Sequence, residues 1–353
     1  MSTLKVDQVS KLFRSTSRGG GLTAALRKVS FEIPQGEVVT LIGESGSGKS
    51  TLGKVILRLI QPTSGTITFD GRPIDKYPQR EYYQYVQGVF QDPFSSYNPI
   101  YRADRVFELV RGTYFPRMGG AEWEAKVEGA LDAVALNPAD VLGKYPHQLS
   151  GGQQQRLLIA RALLLDVKFL VADEIISMLD ASTRVDILNL LVKLKKQGLA
   201  ILFVTHDLSL GNYVSDRTII LRHGAIVEMG ATPKVFGNPR HDYTKMLLTA
   251  VPELHKKWQH TPLGPVTAAG DAAVTVDSAL ATDVITAGGN GAVATAVAHA
   301  TLLDEFSHAE AVVKRDLRAV FSREGRGSAA VSALLAPPSL TEFEPDHLVA
   351  EPE

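Results

Sequence analysis

The stretch Gly43-Glu44-Ser45-Gly46-Ser47-Gly48-Lys49-Ser50-Thr51 constrains this chain more than any other. Its spacing fits G-x-x-x-x-G-K-[ST], the pattern of a loop that cradles phosphate groups. A β-type run over residues 37–42 leads in, and a helical run over residues 51–60 leads out. Gly43, Gly46 and Gly48 let successive backbone N–H groups point into one concave cup. The cup opens at the positive end of a helix, so the dipole and the unpaired donors both favour a polyphosphate. Lys49 is placed to reach the β- and γ-phosphates, and the Ser50 hydroxyl to ligate Mg²⁺. Nucleotide contacts are expected from Gly43, Ser45, Gly46, Gly48, Lys49, Ser50 and Thr51.

A second phosphate-ready helix start follows later in the chain, Leu149-Ser150-Gly151-Gly152-Gln153, running into a helix over residues 157–165. Ser150 is a natural N-cap, and two glycines in the first turn bring bare backbone close to a ligand. A capped helix with no further task would not need both, because each costs up to about 1 kcal/mol in helix propensity.

The continuous apolar run Lys168-Phe169-Leu170-Val171-Ala172 has the character of a parallel strand buried on both faces, and it ends in Asp173-Glu174. Ligand groups collect at such strand ends. Asp173 suits Mg²⁺ coordination and Glu174 suits polarising an attacking water. A further buried strand over residues 199–204 ends in Thr205-His206-Asp207, where His206 offers a γ-phosphate contact or a second acid/base group. The short strand over residues 86–90 delivers Gln91 into a proline-bearing loop. Phe13, just after the first strand, either packs an edge or stacks on an adenine ring.

Between these motifs, residues 100–148 carry helical periodicity without phosphate chemistry. Val106, Leu109 and Val110 form one apolar stripe, and Val127, Ala130, Leu131 and Val134 another. The expected organisation is a nucleotide-binding domain over residues 1–253 with a helical subdomain inserted at about 92–165. Beyond it come a low-complexity linker over 254–300 and an amphipathic helix over 301–325. The acidic segment 326–353 is expected to be disordered.

Composition removes several function classes. A net charge of −1 supplies no field for nucleic acid, so no nucleic-acid partner is expected. With no cysteine, disulfides, thiolate zinc sites and cysteine-ligated iron–sulfur clusters are excluded. The first residues lack a signal-peptide core, and no run reaches the roughly 18 apolar residues needed to cross a bilayer.

Taken as an ordered set, the phosphate loop, Gln91, Leu149-Ser150-Gly151-Gly152-Gln153, Asp173-Glu174, Asp180 and His206 resemble the ATP-binding subunit of an ABC transporter over residues 3–253. The segments 90–99 and 238–252 resemble the oligopeptide/dipeptide importer branch, some members of which carry oligosaccharides. The resemblance implies an α/β fold: a P-loop core with a mixed, mainly parallel sheet, an antiparallel β-subdomain and an inserted helical subdomain. It implies ATP and Mg²⁺ as ligands, with Ser50, Gln91 and Asp173 around the metal, Glu174 and His206 catalytic, and Phe13 stacked on adenine.

The resemblance also implies a head-to-tail pair of ATPase subunits. In it, Ser150, Gly151, Gly152, Gln153 and Asp180 of one subunit close on the nucleotide held by the other. Two membrane permeases and an extracytoplasmic solute-binding protein complete the complex, placing this chain at the cytoplasmic face of the membrane. Relatives usually carry Pro-Thr where this chain has Ile175-Ile176, which puts the ordering of the loop after Glu174 in question. The expected activity is ATP hydrolysis that powers import of peptides or oligosaccharides. The rival readings are a catalytically weak nucleotide-binding subunit of the same kind of complex and a soluble ABC ATPase outside transport.

Overall fold

The computed structural model describes residues 3–14, 21–250, 335–338, 340–344 and 347–350. The expected linker over 254–300 and helix over 301–325 lie outside the described residues.

The chain opens with β1 (Thr3–Arg14) and β2 (Leu22–Pro34), paired antiparallel. On β1, Leu4 and Val6 are buried while Lys5 and Asp7 are exposed, the alternation of a strand with one dry face. In β3 (Val38–Ile42) every residue is buried, as a central parallel strand requires. Next come α1 (Lys49–Ile56), β4 (Ser64–Phe69), β5 (Arg72–Pro73), α2 (Gln79–Tyr85) and β6 (Val86–Val89). The first sheet is antiparallel in the order β2-β1-β4-β5.

The helical region follows as α3 (Arg105–Tyr114), α4 (Gly120–Ala133), α5 (Pro138–Val141) and α6 (Gly151–Leu163). Trp123, Val127, Ala130 and Leu131 put one face of α4 into a core shared with Phe107 and Leu157. The α3 stripe differs from expectation. Phe107 is its buried residue, flanked by partly buried Val106 and Val110, and Leu109 is exposed. Phe107 and Val110 stand three apart and share a face, which turns Leu109 outward.

The rest of the core is β7 (Phe169–Asp173), α7 (Ala181–Lys196), β8 (Ala200–Thr205), α8 (Leu208–Val214), β9 (Arg217–Arg222), β10 (Ala225–Ala231), α9 (Thr232–Gly237) and α10 (Asp242–Thr249). Two C-terminal strands, β11 (Leu340–Glu344) and β12 (His347–Ala350), finish the second sheet. Its order is β11-β12-β10-β9-β3-β8-β7-β6, parallel from β6 through β9 and antiparallel from β9 to β11. Because β3, β7 and β8 run parallel, the residues that follow them emerge at one edge of the sheet.

Within the segment expected to be disordered, residues 340–344 and 347–350 instead form strands. β12 pairs with β10 in the register Glu228↔Val349, Met229↔Leu348 and Gly230↔His347. His347, Val349 and Ala350 are buried. An unpaired edge of β10 would leave a row of backbone donors and acceptors open, and β12 satisfies them.

Candidate functional site

β3 ends at Ile42, and the chain turns through Gly43–Gly48 into α1. Two glycines here are required by space. A Cβ on Gly43 would stand 2.2 Å from the Leu221 carbonyl oxygen. One on Gly48, whose φ is +108°, would stand 2.3 Å from that of Ala25. The loop is therefore pressed against the backbone of β9 and β2 on its inner side. Its outer side is open: Glu44, Ser45, Gly46 and Ser50 are exposed, whereas Ser47 and Lys49 are buried.

The Lys49 ammonium donates to the carbonyls of Gly43 at 2.7 Å and Glu44 at 2.9 Å. An ammonium has three protons, so one remains for an incoming acceptor. Burial lowers the pKa of Lys49, opposed by the charges of Glu174, Asp173 and Glu44. Ser50 Oγ donates to Asp173 Oδ1 at 3.4 Å, joining the start of α1 to the end of β7. Burial raises the pKa of Asp173; the Ser50 hydrogen bond and Lys49 work against it, and neighbouring Glu174 works with it. Ser50 and Asp173 thus offer two hard oxygen donors side by side, the donor type that suits Mg²⁺.

Glu174 adopts a left-handed backbone, φ 50°. For a residue with a Cβ this is an uncommon state, held only when the surroundings over-determine it. Here the Glu174 N–H donates to the Val204 carbonyl at 2.9 Å, and its own carbonyl accepts from Ser177 Oγ at 2.9 Å. Its carboxylate lies 3.4 Å from His206 Nδ1. The loop after Glu174 is anchored from below. Ile175 and Ile176 are buried in the main core, and Arg184 donates to the carbonyls of Leu179 at 2.8 Å and Ser177 at 3.2 Å. The departure at these two positions thus supplies apolar anchors.

Lys49, Ser50, Asp173, Glu174 and His206 are therefore gathered at one sheet edge. Phe13 stands on β1, 41% exposed, with Lys11 Nζ 5.2 Å from its ring centre. Gln91 is exposed just after β6.

A second group forms around the starts of α6 and α7. Ser150 Oγ accepts from the Gln153 N–H at 3.2 Å, and the Ser150 N–H donates to Gln153 Oε1 at 2.9 Å, a reciprocal cap. Asp180 caps α7, accepting from the Thr183 N–H at 3.0 Å, Thr183 Oγ1 at 2.7 Å and Ser182 Oγ at 2.6 Å. The Ser182 bond and the two from Thr183 hold its carboxyl below the usual carboxylate range. Gly152 has a packing reason of its own, since a Cβ there would stand 2.5 Å from Thr183 Cγ2. Ser150 and Asp180 are both exposed.

Three contacts had no local signature. Tyr243, 199 positions from Glu44, accepts a hydrogen bond from its backbone N–H at 3.0 Å. Gln155 and Arg161 on α6 donate to the carbonyls of Phe90 at 3.4 Å and Gly88 at 3.0 Å, bracing the strand that precedes Gln91.

Comparison with known proteins gives the arrangement a context. Residues 26–177 match the family described as ABC transporter, and residues 227–272 match that described as oligopeptide/dipeptide transporter, C-terminal region. The chain is similar to the oligopeptide transport ATP-binding protein OppF of Streptococcus mutans, with 44% identity over 233 residues, 65% of this chain and 75% of that protein. It is similar to AmiF, an oligopeptide transport ATP-binding protein of Streptococcus pneumoniae, with 42% identity over 255 residues, 70% of this chain and 82% of that protein. Among solved structures, the dimeric ATP-binding cassette MJ0796, in a post-hydrolysis state bound to ADP and Pi, is 30% identical. The match has a TM-score of 0.57 and covers 65% of this chain and 98% of that one.

Proposed function

This chain belongs to the ABC transporter family, and from that premise we propose that it is the ATP-hydrolysing subunit of a peptide importer, working through separate membrane permeases. The observation that carries the reading is the convergence of Lys49, Ser50, Asp173, Glu174 and His206 at one sheet edge.

The chain's own residues divide the work. The loop from Gly43 to Thr51 binds the phosphates, with the free Lys49 proton directed at a phosphoryl oxygen. Ser50 and Asp173 would hold Mg²⁺, which neutralises charge developing on the phosphates when bound. Glu174 orients and polarises the attacking water, and the strained backbone keeps its carboxylate at the end of β7. His206 faces that carboxylate and contacts the γ-phosphate. Phe13 stacks on the adenine.

Ser150, Gly151, Gly152, Gln153 and Asp180 act on the nucleotide of a second ATPase subunit, this chain or a different one. Ser150 and Asp180 are exposed and Gly151, Gly152 and Gln153 are half-buried, which leaves the group open to such a partner. A groove of 350 Å³ beside Gln91, lined by Leu59, Gly88, Phe90 and Arg161 among others, receives a permease segment. Because α6 runs from Ser150 to the residues that brace Phe90 and Gly88, closure at one end is transmitted to the groove at the other. An extracytoplasmic binding protein delivers the peptide. Among the described residues no helix is long and apolar enough to cross a membrane. The chain sits against the permeases at the cytoplasmic face.

The test is the ATPase of the complex reconstituted in vesicles with its permeases. Peptide-loaded binding protein should stimulate turnover, and Glu174→Gln should remove it together with uptake. Turnover indifferent to both permeases and peptide would sink the reading.

A further inference from the structure

The peptide unit between Gly43 and Glu44 is held at both ends. Its carbonyl accepts from Lys49 Nζ at 2.7 Å, and its N–H donates to the Tyr243 hydroxyl at 3.0 Å. A peptide unit is planar, so rotating it breaks both bonds together. The phenol that holds it is itself fixed. Tyr243 is buried, and the Arg222 guanidinium lies 5.0 Å from its ring centre.

The start of α10 sets where that phenol stands. His241 Nδ1 accepts from the Tyr243 N–H at 3.0 Å. The Arg240 N–H donates at 3.0 Å to Oε1, and the His241 N–H at 3.0 Å to Oε2, of Glu228, a fully buried carboxylate on β10. Facing Glu228 from β12 is His347, also fully buried, with Nε2 2.6 Å from Oε1. A carboxylate that accepts two backbone N–H bonds at that separation takes a third from the ring, so Nε2 carries a proton and donates it to Oε1. A buried carboxylate is expensive unless its oxygens are satisfied, and these three donors satisfy it. Ala350 of the same strand packs in one apolar cluster with Tyr243, Ile220 and Ile42, the residue just before the phosphate loop. Arg27 on β2 also donates to the Ala336 carbonyl at 2.5 Å.

We propose that Tyr243 is a positioning residue for the nucleotide-binding loop and that the C-terminal strand, through His347 and Glu228, holds it in place. The inference rests on the reading of the loop as the ATP site. It makes the far end of the chain a determinant of nucleotide affinity.

The test uses the full chain and titration of a fluorescent ATP analogue with Mg²⁺. Tyr243→Phe removes one hydroxyl from a ring that stays packed. It should weaken binding about three- to tenfold, the range for a single hydrogen bond. In the assembled complex the KM for ATP should rise by the same factor with kcat little changed, a split that general loosening would not produce. His347→Phe, which keeps an aromatic ring and loses the donor, should weaken binding in the same direction. His347→Gln, which keeps a donor, should bind more tightly than His347→Phe. The double variant should fall short of the product of the two single effects, since both act on one contact. Lys49→Ala is the control. If it loses binding while Tyr243→Phe or His347→Phe binds as the parent does, the inference is overturned and the ATP site stands. If Lys49→Ala itself binds as the parent does, the site reading falls and takes the inference with it.

Discussion

Glu174 Oε1 and His206 Nδ1 lie 3.4 Å apart, although one follows β7 and the other β8. The register Asp173↔Val204 brings the two strand ends level, and the left-handed turn at Glu174 aims its side chain across the gap. Carboxylate and imidazole are therefore in contact at the end of the sheet, the pair that the proposed function places beside the attacking water.

Replacing Glu174 with Gln keeps the volume and removes the base. Turnover should fall by at least about 10²-fold, the span of general-base catalysis, while ATP binding stays intact. Single-turnover hydrolysis measured beside equilibrium binding separates the two. A Glu174→Gln variant with the parental single-turnover rate would remove Glu174 from the chemistry.

Asp173 carries the opposite lesson, that a site residue can cost stability. Its carboxyl pKa is raised by burial, so ionisation favours the unfolded state. Its contribution to stability is complete below the unfolded pKa and is lost as pH rises through the folded one. At neutral pH Asp173→Asn should therefore melt higher than the parent without nucleotide, while Mg²⁺-dependent ATP binding is lost. The gain should shrink as pH is lowered towards the carboxylate range. Calorimetry at two pH values checks it, and an equal or lower melting point at neutral pH would contradict it.

Two loop glycines should differ in how badly they accept a side chain. Gly46 has φ +81° with open space around a Cβ, so Gly46→Ala should cost about 1 kcal/mol of strain. Gly48 combines φ +108° with a backbone oxygen 2.3 Å from the added carbon, which cannot swing aside as a side chain could. Gly48→Ala should cost about 3 kcal/mol or more. Urea unfolding of the nucleotide-free proteins compares them, and equal losses would mean that the loop does not press on β2 as described.

Local chemistry made much of this site legible. The phosphate loop, the acids at the end of β7 and the cap at Ser150 each depend on residues within a few positions of one another. What stayed hidden depends on distance in sequence. Nothing around Tyr243 points to Glu44, and the need for Gly152 comes from Thr183 on another helix. The C-terminal strands were obscured by an acidic, proline-bearing composition. What settles His347–Ala350 into the sheet is the open edge of β10 and the buried carboxylate of Glu228 opposite His347. On α3 the stripe was offset because Leu109 is as apolar as its neighbours, and only packing selects Phe107.

The most direct test of two subunits sharing one nucleotide is Ser150→Asp. Aspartate caps a helix as well as serine does, so the reciprocal bond with Gln153 is replaced without loss of fold. Its negative charge would instead face the partner's terminal phosphate. The melting point and the ATP affinity of the isolated subunit should be unchanged, and ATPase in the assembled complex should be lost. Loss of affinity in the isolated subunit, or parental turnover in the complex, would contradict the sharing of one nucleotide.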